Sequence, residues 1–225
     1  MVVDPWKDRM GIGSRVQNYH RLRHVLGPRY ATCTLDNFEI YDTKSNQAKV
    51  LGKIREFSKA IPERLRTGGG VILYGRPGTG KDHLLVALMY EAVLRHGWSA
   101  WWTHGPTMMA AARDSMFREN RPESEWKVAS TYTEPMILTI SDPLPPKGDA
   151  SQHSTDLLQR IVEYRYRHLK STWVSMNVRD GAEAERRLAS ALVDRLRHNS
   201  LALECNWESY RARDPNRRLL AGKEE

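Results

Sequence analysis

The chain has 225 residues, of which 35 are basic and 27 are acidic, so its formal net charge is +8. This length fits one domain with a single hydrophobic core, and no apolar run approaches the length of a membrane span. The charged residues Asp4, Lys7, Asp8 and Arg9 suit neither a secretory signal nor a membrane anchor. The basic excess favours a polyanionic partner, while the widely spaced Cys33 and Cys205 indicate reduced thiols in a cytoplasmic protein.

The chain begins with a basic stretch, residues 1–29, that ends at Gly27 and Pro28, two residues typical of a boundary. We expect this short segment to be a separate unit that can dock a partner. Residues 30–225 are then predicted to form the main domain.

Apolar periodicity along the rest of the chain predicts strands that alternate with helices. In chain order the predicted elements are a helix over residues 45–61 closed by Pro62, a strand over 71–74, a helix over 81–95, a strand over 99–103, a helix over 106–117, an irregular stretch over 118–135, a strand over 136–140, a loop over 144–148, a helix over 154–169 capped by Ser154 or Thr155, a strand over 172–176, a helix over 182–197 and a strand over 201–205. This alternation predicts an α/β fold, with a parallel five-stranded sheet and helices on both of its faces.

The segment after the first predicted strand has the pattern of a phosphate-binding loop, G-x-x-x-x-G-K, and a helix follows it. Its glycines let successive backbone N–H groups point into one concavity, and the helix N-terminus and Lys81 add positive charge. The sequence therefore predicts binding of ATP with Mg²⁺. The predicted nucleotide-binding residues are Gly75, Arg76, Pro77, Gly78, Thr79, Gly80, Lys81, Asp82 and His83.

The position after the lysine departs from the usual pattern, because it holds Asp82 where Ser or Thr normally supplies a hydroxyl ligand to Mg²⁺. A second departure follows the strand over 136–140, whose carboxyl end should lie beside the loop. There the chain has Ser141 and Asp142 instead of the expected Asp-Glu pair. These departures make nucleotide binding a firmer prediction than hydrolysis.

Two interpretations of this strand end are open. In the first, Ser141 has the magnesium position and Asp142 the catalytic one, so that Asp82 and Ser141 exchange the usual hydroxyl and carboxylate around one Mg²⁺. In the second, Asp142 is the magnesium acid and there is no catalytic base. Without compensation, Asp82 beside a triphosphate costs roughly 3–4 kcal/mol of repulsion per like charge, so a decayed, weakly binding site is a further alternative.

Two more polar residues follow later strands. Asn177, at the end of the strand over 172–176, can orient the attacking water or contact the γ-phosphate, although Asn is also a common turn residue. Arg195 could reach the nucleotide of a neighbouring subunit, or it could instead pair with Asp194 or Glu185. We therefore predict Asp142, Asn177 and Arg195 as the catalytic residues.

Four motifs identify the chain as a relative of the AAA+ ATPases of the DnaC/IstB group, which are helicase loaders and transposition helpers. They are YATCTLDNF at 30–38, GRPGTGKDHL at 75–84, ALVDRLRHNS at 191–200 and NWESYR at 206–211, and the likeness runs from about residue 30 to the C-terminus. The last motif is closer to the DnaC loaders than to the transposition helpers.

This resemblance implies that Lys81 binds phosphate, that Asn177 is a sensor residue and that Arg195 is an arginine finger acting in trans. It also implies an AAA+ core without a C-terminal lid domain, ATP-dependent homo-oligomers, and single-stranded DNA and a replicative ring helicase as partners. The expected function is therefore that of an ATPase that delivers a helicase during DNA replication, with slow hydrolysis. The alternatives are an IstB-like transposition helper and a nucleotide-dependent scaffold with little turnover.

Overall fold

The structure, a computed structural model, describes residues 9–118, 130–145 and 151–213, without the side chains of residues 112–118 and of His153. Five strands form one sheet in the order β2-β3-β4-β1-β5, and all neighbouring strands in it are parallel. The strands are Val71–Gly75 (β1), Ala100–His104 (β2), Ile137–Ser141 (β3), Ser171–Met176 (β4) and Leu201–Cys205 (β5). The predicted α/β fold with a five-stranded parallel sheet is confirmed.

Helices lie on both faces of the sheet, because alternate residues of each strand point to opposite sides. On β1, for example, Leu73 belongs to one buried cluster and Ile72 to the other. The first cluster includes much of α4, and the second includes residues of α6 and α8. The helices are Ile12–Leu26 (α1), Gln47–Lys59 (α2), Ile61–Arg66 (α3), Lys81–Leu94 (α4), Gly105–Arg118 (α5), Gln152–Arg167 (α6), Gly181–Leu188 (α7) and Ser190–Arg197 (α8), and Tyr210–Arg213 form a 3₁₀ turn.

The three central strands β1, β3 and β4 are buried along almost their whole length. Their nearly continuous runs of apolar or small residues are typical of parallel strands covered on both faces. The edge strands β2 and β5 are more exposed. Because β3, β4 and β1 are neighbours in the sheet and run parallel, their carboxyl ends lie side by side. The residues that follow these three strands are thus brought together.

Three predicted helices differ from those of the structure. The helix predicted over 45–61 is two helices that meet at Ala60, and Pro62 lies in the first turn of α3, where a missing N–H costs nothing. The helix predicted over 182–197 is broken at Ala189, whose φ is +89°. The helix predicted over 154–169 begins earlier, because the side chain of Ser151 accepts a hydrogen bond from the backbone N–H of Ser154.

The stretch predicted as irregular over 118–135 is helical at residues 130–133, and residues 119–129 lie outside the described part of the chain. Residues 146–148 of the predicted loop also lie outside it. The prediction that no lid domain follows the core stays a prediction, since residues 214–225 are not described either.

The helix α1, within the predicted N-terminal segment, packs against α4 and the edge strand β2. Asn18 hydrogen-bonds both backbone groups of Ala100, at 3.1 and 3.0 Å, and so satisfies polar groups that an edge strand would leave unpaired. Leu22 is fully buried against the same core. The described part of this segment is thus joined to the sheet, and a unit boundary after residue 29 stays a prediction. Among the described residues, no helix is both long and apolar enough to span a membrane.

Candidate functional site

A cleft of about 1040 Å³ lies at the carboxyl ends of the central strands. The loop over residues 76–80 joins β1 to α4, and residues 77–80 of it line the cleft together with parts of segments 29–41 and 210–213. Gly75 and Arg76, which were also predicted to bind the nucleotide, are not among the lining residues. Gly78 has a φ of +80°, and a Cβ atom there would overlap the side chain of Ser209. Glycine is therefore required at this position by both backbone conformation and space.

Lys81 is a buried cation at the start of α4. Its Nζ donates to the carbonyl oxygens of Gly75 and Arg76, at 3.1 and 2.6 Å, and to Oδ1 of Asn177 at 2.8 Å. Burial lowers the pKa of Lys81 below its ordinary value. An anion that replaced these neutral acceptors would interact strongly with this charge, since the surroundings screen it poorly.

Asp82 lies in the first turn of α4, where the helix dipole favours a negative charge. Its Oδ2 accepts a hydrogen bond from the hydroxyl of Ser141 at 2.9 Å, and its Oδ1 accepts one from the hydroxyl of Ser175 at 2.5 Å. The structure thus brings Asp82 and Ser141 into direct contact, as an exchange of hydroxyl and carboxylate requires. Ser175 was not predicted as a site residue, although it lies two residues before the predicted sensor Asn177 on the same strand.

Asp142 follows β3 with a left-handed backbone, φ +47°, and its side chain accepts a hydrogen bond from Nδ2 of Asn177 at 2.7 Å. Burial, followed by the negative charge of Asp82, raises the pKa of Asp142. Asn177 therefore bridges the predicted phosphate lysine, Lys81, and the predicted catalytic carboxylate. A carboxylate whose pKa is raised is a better proton acceptor than an ordinary exposed aspartate.

Arg195, on α8, is not among the residues that line this cleft. Its guanidinium forms an ion pair with Glu163 of α6, and its Nη1 donates to the carbonyl of Ala191 at 2.9 Å. It lines a second cavity of about 250 Å³, which also contacts Tyr166 and His198. Neither Asp194 nor Glu185, the partners considered from the sequence, forms its ion pair. An action of Arg195 on a nucleotide would have to take place in trans.

The leading loop, residues 30–38, packs against the phosphate-binding loop and the first turn of α4. His83 Nε2 contacts the carbonyl of Thr34 at 2.9 Å, and its ring meets that of Phe38 edge-on at 5.4 Å. Burial lowers the pKa of His83, which favours its neutral form. His83 therefore fixes the leading loop to the site rather than adding a positive charge to it.

A C-terminal strap, residues 206–213, crosses the phosphate-binding loop. The backbone N–H of Tyr210 donates to the carbonyl of Gly78 at 2.9 Å, and Trp207 Nε1 donates to that of Thr79 at 2.9 Å. The strap also places Arg211 in the lining of the cleft, close enough that its charge contributes to lowering the pKa of Lys81. The motif at 206–211 was recognised in the sequence, but Arg211 was not predicted as a site residue.

The donor atoms of the cleft suit a magnesium nucleotide. Asp82 lines the cleft and supplies a carboxylate, and Ser141, which contacts Asp82 but is not among the lining residues, supplies a hydroxyl. Both are oxygen ligands of the kind that Mg²⁺ prefers. Within the described ranges, no group of three or more His, Cys, Asp or Glu side chains could hold a metal by itself. Mg²⁺ usually binds through one or two carboxylates together with substrate phosphates and waters, so the single carboxylate of Asp82 is compatible with it.

Known proteins share both the sequence pattern and the fold. The sequence profile of the family described as IstB-like ATP binding protein matches residues 15–218. The replicative helicase loader DnaC of Escherichia coli (strain K12) is 28% identical over 192 residues, which are 85% of this chain and 74% of that protein. A putative ATP-binding protein of insertion sequence IS5376, from Geobacillus stearothermophilus, is 29% identical over 151 residues, or 64% of this chain and 56% of that protein.

Among solved structures, a crystal structure of the DnaC helicase loader has a TM-score of 0.68 with this chain at 23% identity. The likeness covers 79% of this chain and 99% of the other. The AAA+ fold and the resemblance to the DnaC/IstB group that the motifs predict are both confirmed.

Proposed function

We propose that this chain, which belongs to the IstB-like ATP-binding protein family, is a P-loop ATPase of DNA replication that delivers a ring helicase to single-stranded DNA. The observation that carries the proposal is the cleft in which Lys81, Asp82 and Asn177 converge beside a glycine-rich loop. The replication role is supported by the likeness to DnaC, a replicative helicase loader, over 85% of the chain.

The phosphates of ATP would bind to the backbone N–H groups of residues 75–80 and to Lys81. In this structure Lys81 donates to two carbonyls, those of Gly75 and Arg76, and to Asn177. Phosphate oxygens carry more negative charge than these acceptors, so the exchange favours binding. Arg211 of the C-terminal strap, which also lines the cleft, would add a second positive charge.

Asp82 and Ser141 would hold Mg²⁺. The hydroxyl oxygen of Ser141 lies 2.9 Å from Oδ2 of Asp82. Together they supply one carboxylate and one hydroxyl, whereas the usual site has the hydroxyl on the helix and the carboxylate on the strand. Repulsion between Asp82 and a phosphate charge amounts to about 4 kcal/mol at 4 Å and an effective dielectric of 20. The metal charge and the N-terminus of α4 offset this repulsion, which makes a carboxylate at this position compatible with nucleotide binding.

Hydrolysis would use Asp142 and Asn177. Asn177 donates to Asp142 and can orient a water between that carboxylate and the terminal phosphate. Asp142 is one methylene shorter than the glutamate that usually has this role, so its reach towards the water is reduced. We therefore propose slow turnover, with the ATP-bound state as the state that acts.

Assembly would be controlled by Arg195. In the single chain it is paired with Glu163, and in an ATP-bound oligomer it would exchange that carboxylate for the phosphate of a neighbouring subunit. The ordered subunits would align their basic surfaces on single-stranded DNA, whose phosphates provide a salt-dependent attraction. A homo-oligomer, single-stranded DNA and a ring helicase are thus the proposed partners.

The test is co-purification with the ring helicase encoded by the same genome, with and without ATP and single-stranded DNA. We expect a complex that requires ATP and that delivers the helicase to the DNA. Lys81→Ala should abolish ATP binding measured by calorimetry, and with it the complex, whereas Lys59→Ala, on an exposed part of α2, is the matched control. Unchanged ATP affinity in Lys81→Ala would refute the nucleotide site.

The second candidate is an IstB-like transposition helper that binds duplex DNA and activates a transposase. It is favoured by the 29% identity with the IS5376 protein over 151 residues. ATP-dependent binding to duplex rather than single-stranded DNA, with no helicase complex, would select it. The third alternative is a scaffold with little turnover. It would form the same complexes, and form them as fast, when ATP is replaced by a non-hydrolysable analogue.

A further inference from the structure

Ser175 is the third member of a cluster formed by one carboxylate and two hydroxyls. The parallel register pairs Ser141 of β3 directly with Ser175 of β4, so the two hydroxyls lie at the same level of neighbouring strands. Both donate to Asp82, one to each carboxylate oxygen. Both serines are only 2% exposed, so water does not compete effectively for these bonds.

Two donors on different strands fix an aspartate more completely than one donor does. A bond to Oδ2 alone leaves the carboxylate free to turn about its last torsion, whereas bonds to both oxygens fix its plane. Each oxygen keeps a second lone-pair site, and Asp82 itself lines the cleft. The carboxylate is thus held from the sheet side while it can still accept a ligand from the cleft.

Ser175 also forms a backbone hydrogen bond with Asp142, the residue that carries the predicted catalytic carboxylate. The N–H of Asp142 donates to the carbonyl of Ser175 at 2.9 Å, and Asn177 follows two residues later on the same strand end. One residue therefore contacts both aspartates of the cleft, since its hydroxyl donates to the carboxylate of Asp82 and its carbonyl accepts from the backbone N–H of Asp142. The hydroxyl of Ser141, by comparison, donates to Asp82.

We propose that Ser175 is a positioning residue, which holds Asp82 in the orientation that binds the Mg²⁺ of a bound nucleoside triphosphate. This inference rests on the proposed nucleotide site and adds to it the residue that sets its magnesium dependence. Hydrogen-bond partners that orient metal-binding side chains typically contribute about 10-fold to 100-fold to metal affinity. Ser175→Ala should therefore reduce the gain in nucleotide affinity that Mg²⁺ provides by about tenfold or more.

The experiment measures the affinity for a fluorescent ATP analogue in excess Mg²⁺ and in EDTA, and takes the ratio of the two values. Ser175→Ala should reduce the ratio, with a much smaller effect on binding in EDTA, and Ser175→Thr, which keeps the hydroxyl, should restore it. Thr139→Val is the matched control, because Thr139 is a fully buried hydroxyl residue of β3 that donates to the sulfur of Met89 instead. In an Asp82→Ala background, Ser175→Ala should have no further effect on the ratio.

Three results would overturn the inference. The first is an affinity ratio in Ser175→Ala equal to that of wild type. The second is that Ser175→Ala reduces the ratio equally in the wild-type and in the Asp82→Ala background. The third is a wild-type protein that binds the analogue equally in Mg²⁺ and EDTA, which refutes the magnesium site as well. Failure of the proposed nucleotide site is a separate result, in which Lys81→Ala binds the analogue as wild type does.

Discussion

The contact between Asp82 and Ser141 allows a direct test of the exchanged magnesium ligands by a double-mutant cycle. Asp82→Thr alone removes the carboxylate, so Mg²⁺ loses its charged protein ligand and nucleotide binding in Mg²⁺ should weaken about tenfold, the effect of one charge-assisted bond. Ser141→Asp alone adds a second carboxylate at a position whose hydroxyl is now 2.9 Å from Asp82 Oδ2. The double variant recreates the usual arrangement of hydroxyl and carboxylate.

The magnitude for Ser141→Asp follows from the charges. Two carboxylates about 4 Å apart repel by about 4 kcal/mol at an effective dielectric of 20. Protonation of one carboxylate relieves the repulsion. At pH 7 that protonation costs about as much free energy as the repulsion itself, because the pKa of an aspartate must rise by roughly three units. We therefore expect binding in Mg²⁺ to weaken about 100-fold or more in this variant. The double variant should come within about threefold of wild type, a coupling of about 3–4 kcal/mol.

The assay is a titration of the fluorescent ATP analogue in Mg²⁺, with thermal unfolding as the control for folding of each variant. Even in the double variant hydrolysis should stay slow, and adding Asp142→Glu should raise it, because the longer side chain reaches further towards the water. Effects of Asp82→Thr and Ser141→Asp that add within about 0.5 kcal/mol would refute the shared site. Asp142 would then be the better candidate for the magnesium acid.

Two further predictions concern arginines outside the cleft. Arg195→Ala should remove the ATP dependence of single-stranded DNA binding while nucleotide affinity stays nearly wild-type. Glu163→Gln, which removes the ion-pair partner of Arg195, should lower the ATP concentration needed for assembly severalfold at most, because a part-exposed pair contributes about 0–1 kcal/mol. A wild-type DNA affinity that does not depend on ATP would contradict this role of Arg195. Arg165 is fully buried and donates to four backbone carbonyls and to Thr172 Oγ1. Because Arg165→Met leaves these acceptors unsatisfied, urea unfolding should reveal a loss of about 3–5 kcal/mol, against little change for the exposed Arg167→Met.

The phosphate-binding loop could be predicted because its signal is local. Gly78 and Gly80 have φ values of +80° and +83°, a conformation that glycine adopts without strain, and the strand before them and the helix after them have clear patterns. The parallel sheet was predictable for a similar reason, since strands alternating with helices permit few arrangements. Helix ends were less predictable, because the break at Ala189 is a single left-handed residue within an otherwise continuous helical pattern.

The sequence by itself determined the α/β fold, the position of Lys81 and the two unusual residues, Asp82 and Ser141, because each of these follows from neighbouring residues along the chain. The tertiary structure alone decided that Ser175 completes the contacts of Asp82, since that depends on the register between β3 and β4. It also decided that Arg211 lines the cleft and that Arg195 pairs with Glu163. Contacts between residues distant in sequence depend on how strands align and helices pack, and no local pattern encodes the partner of a polar side chain.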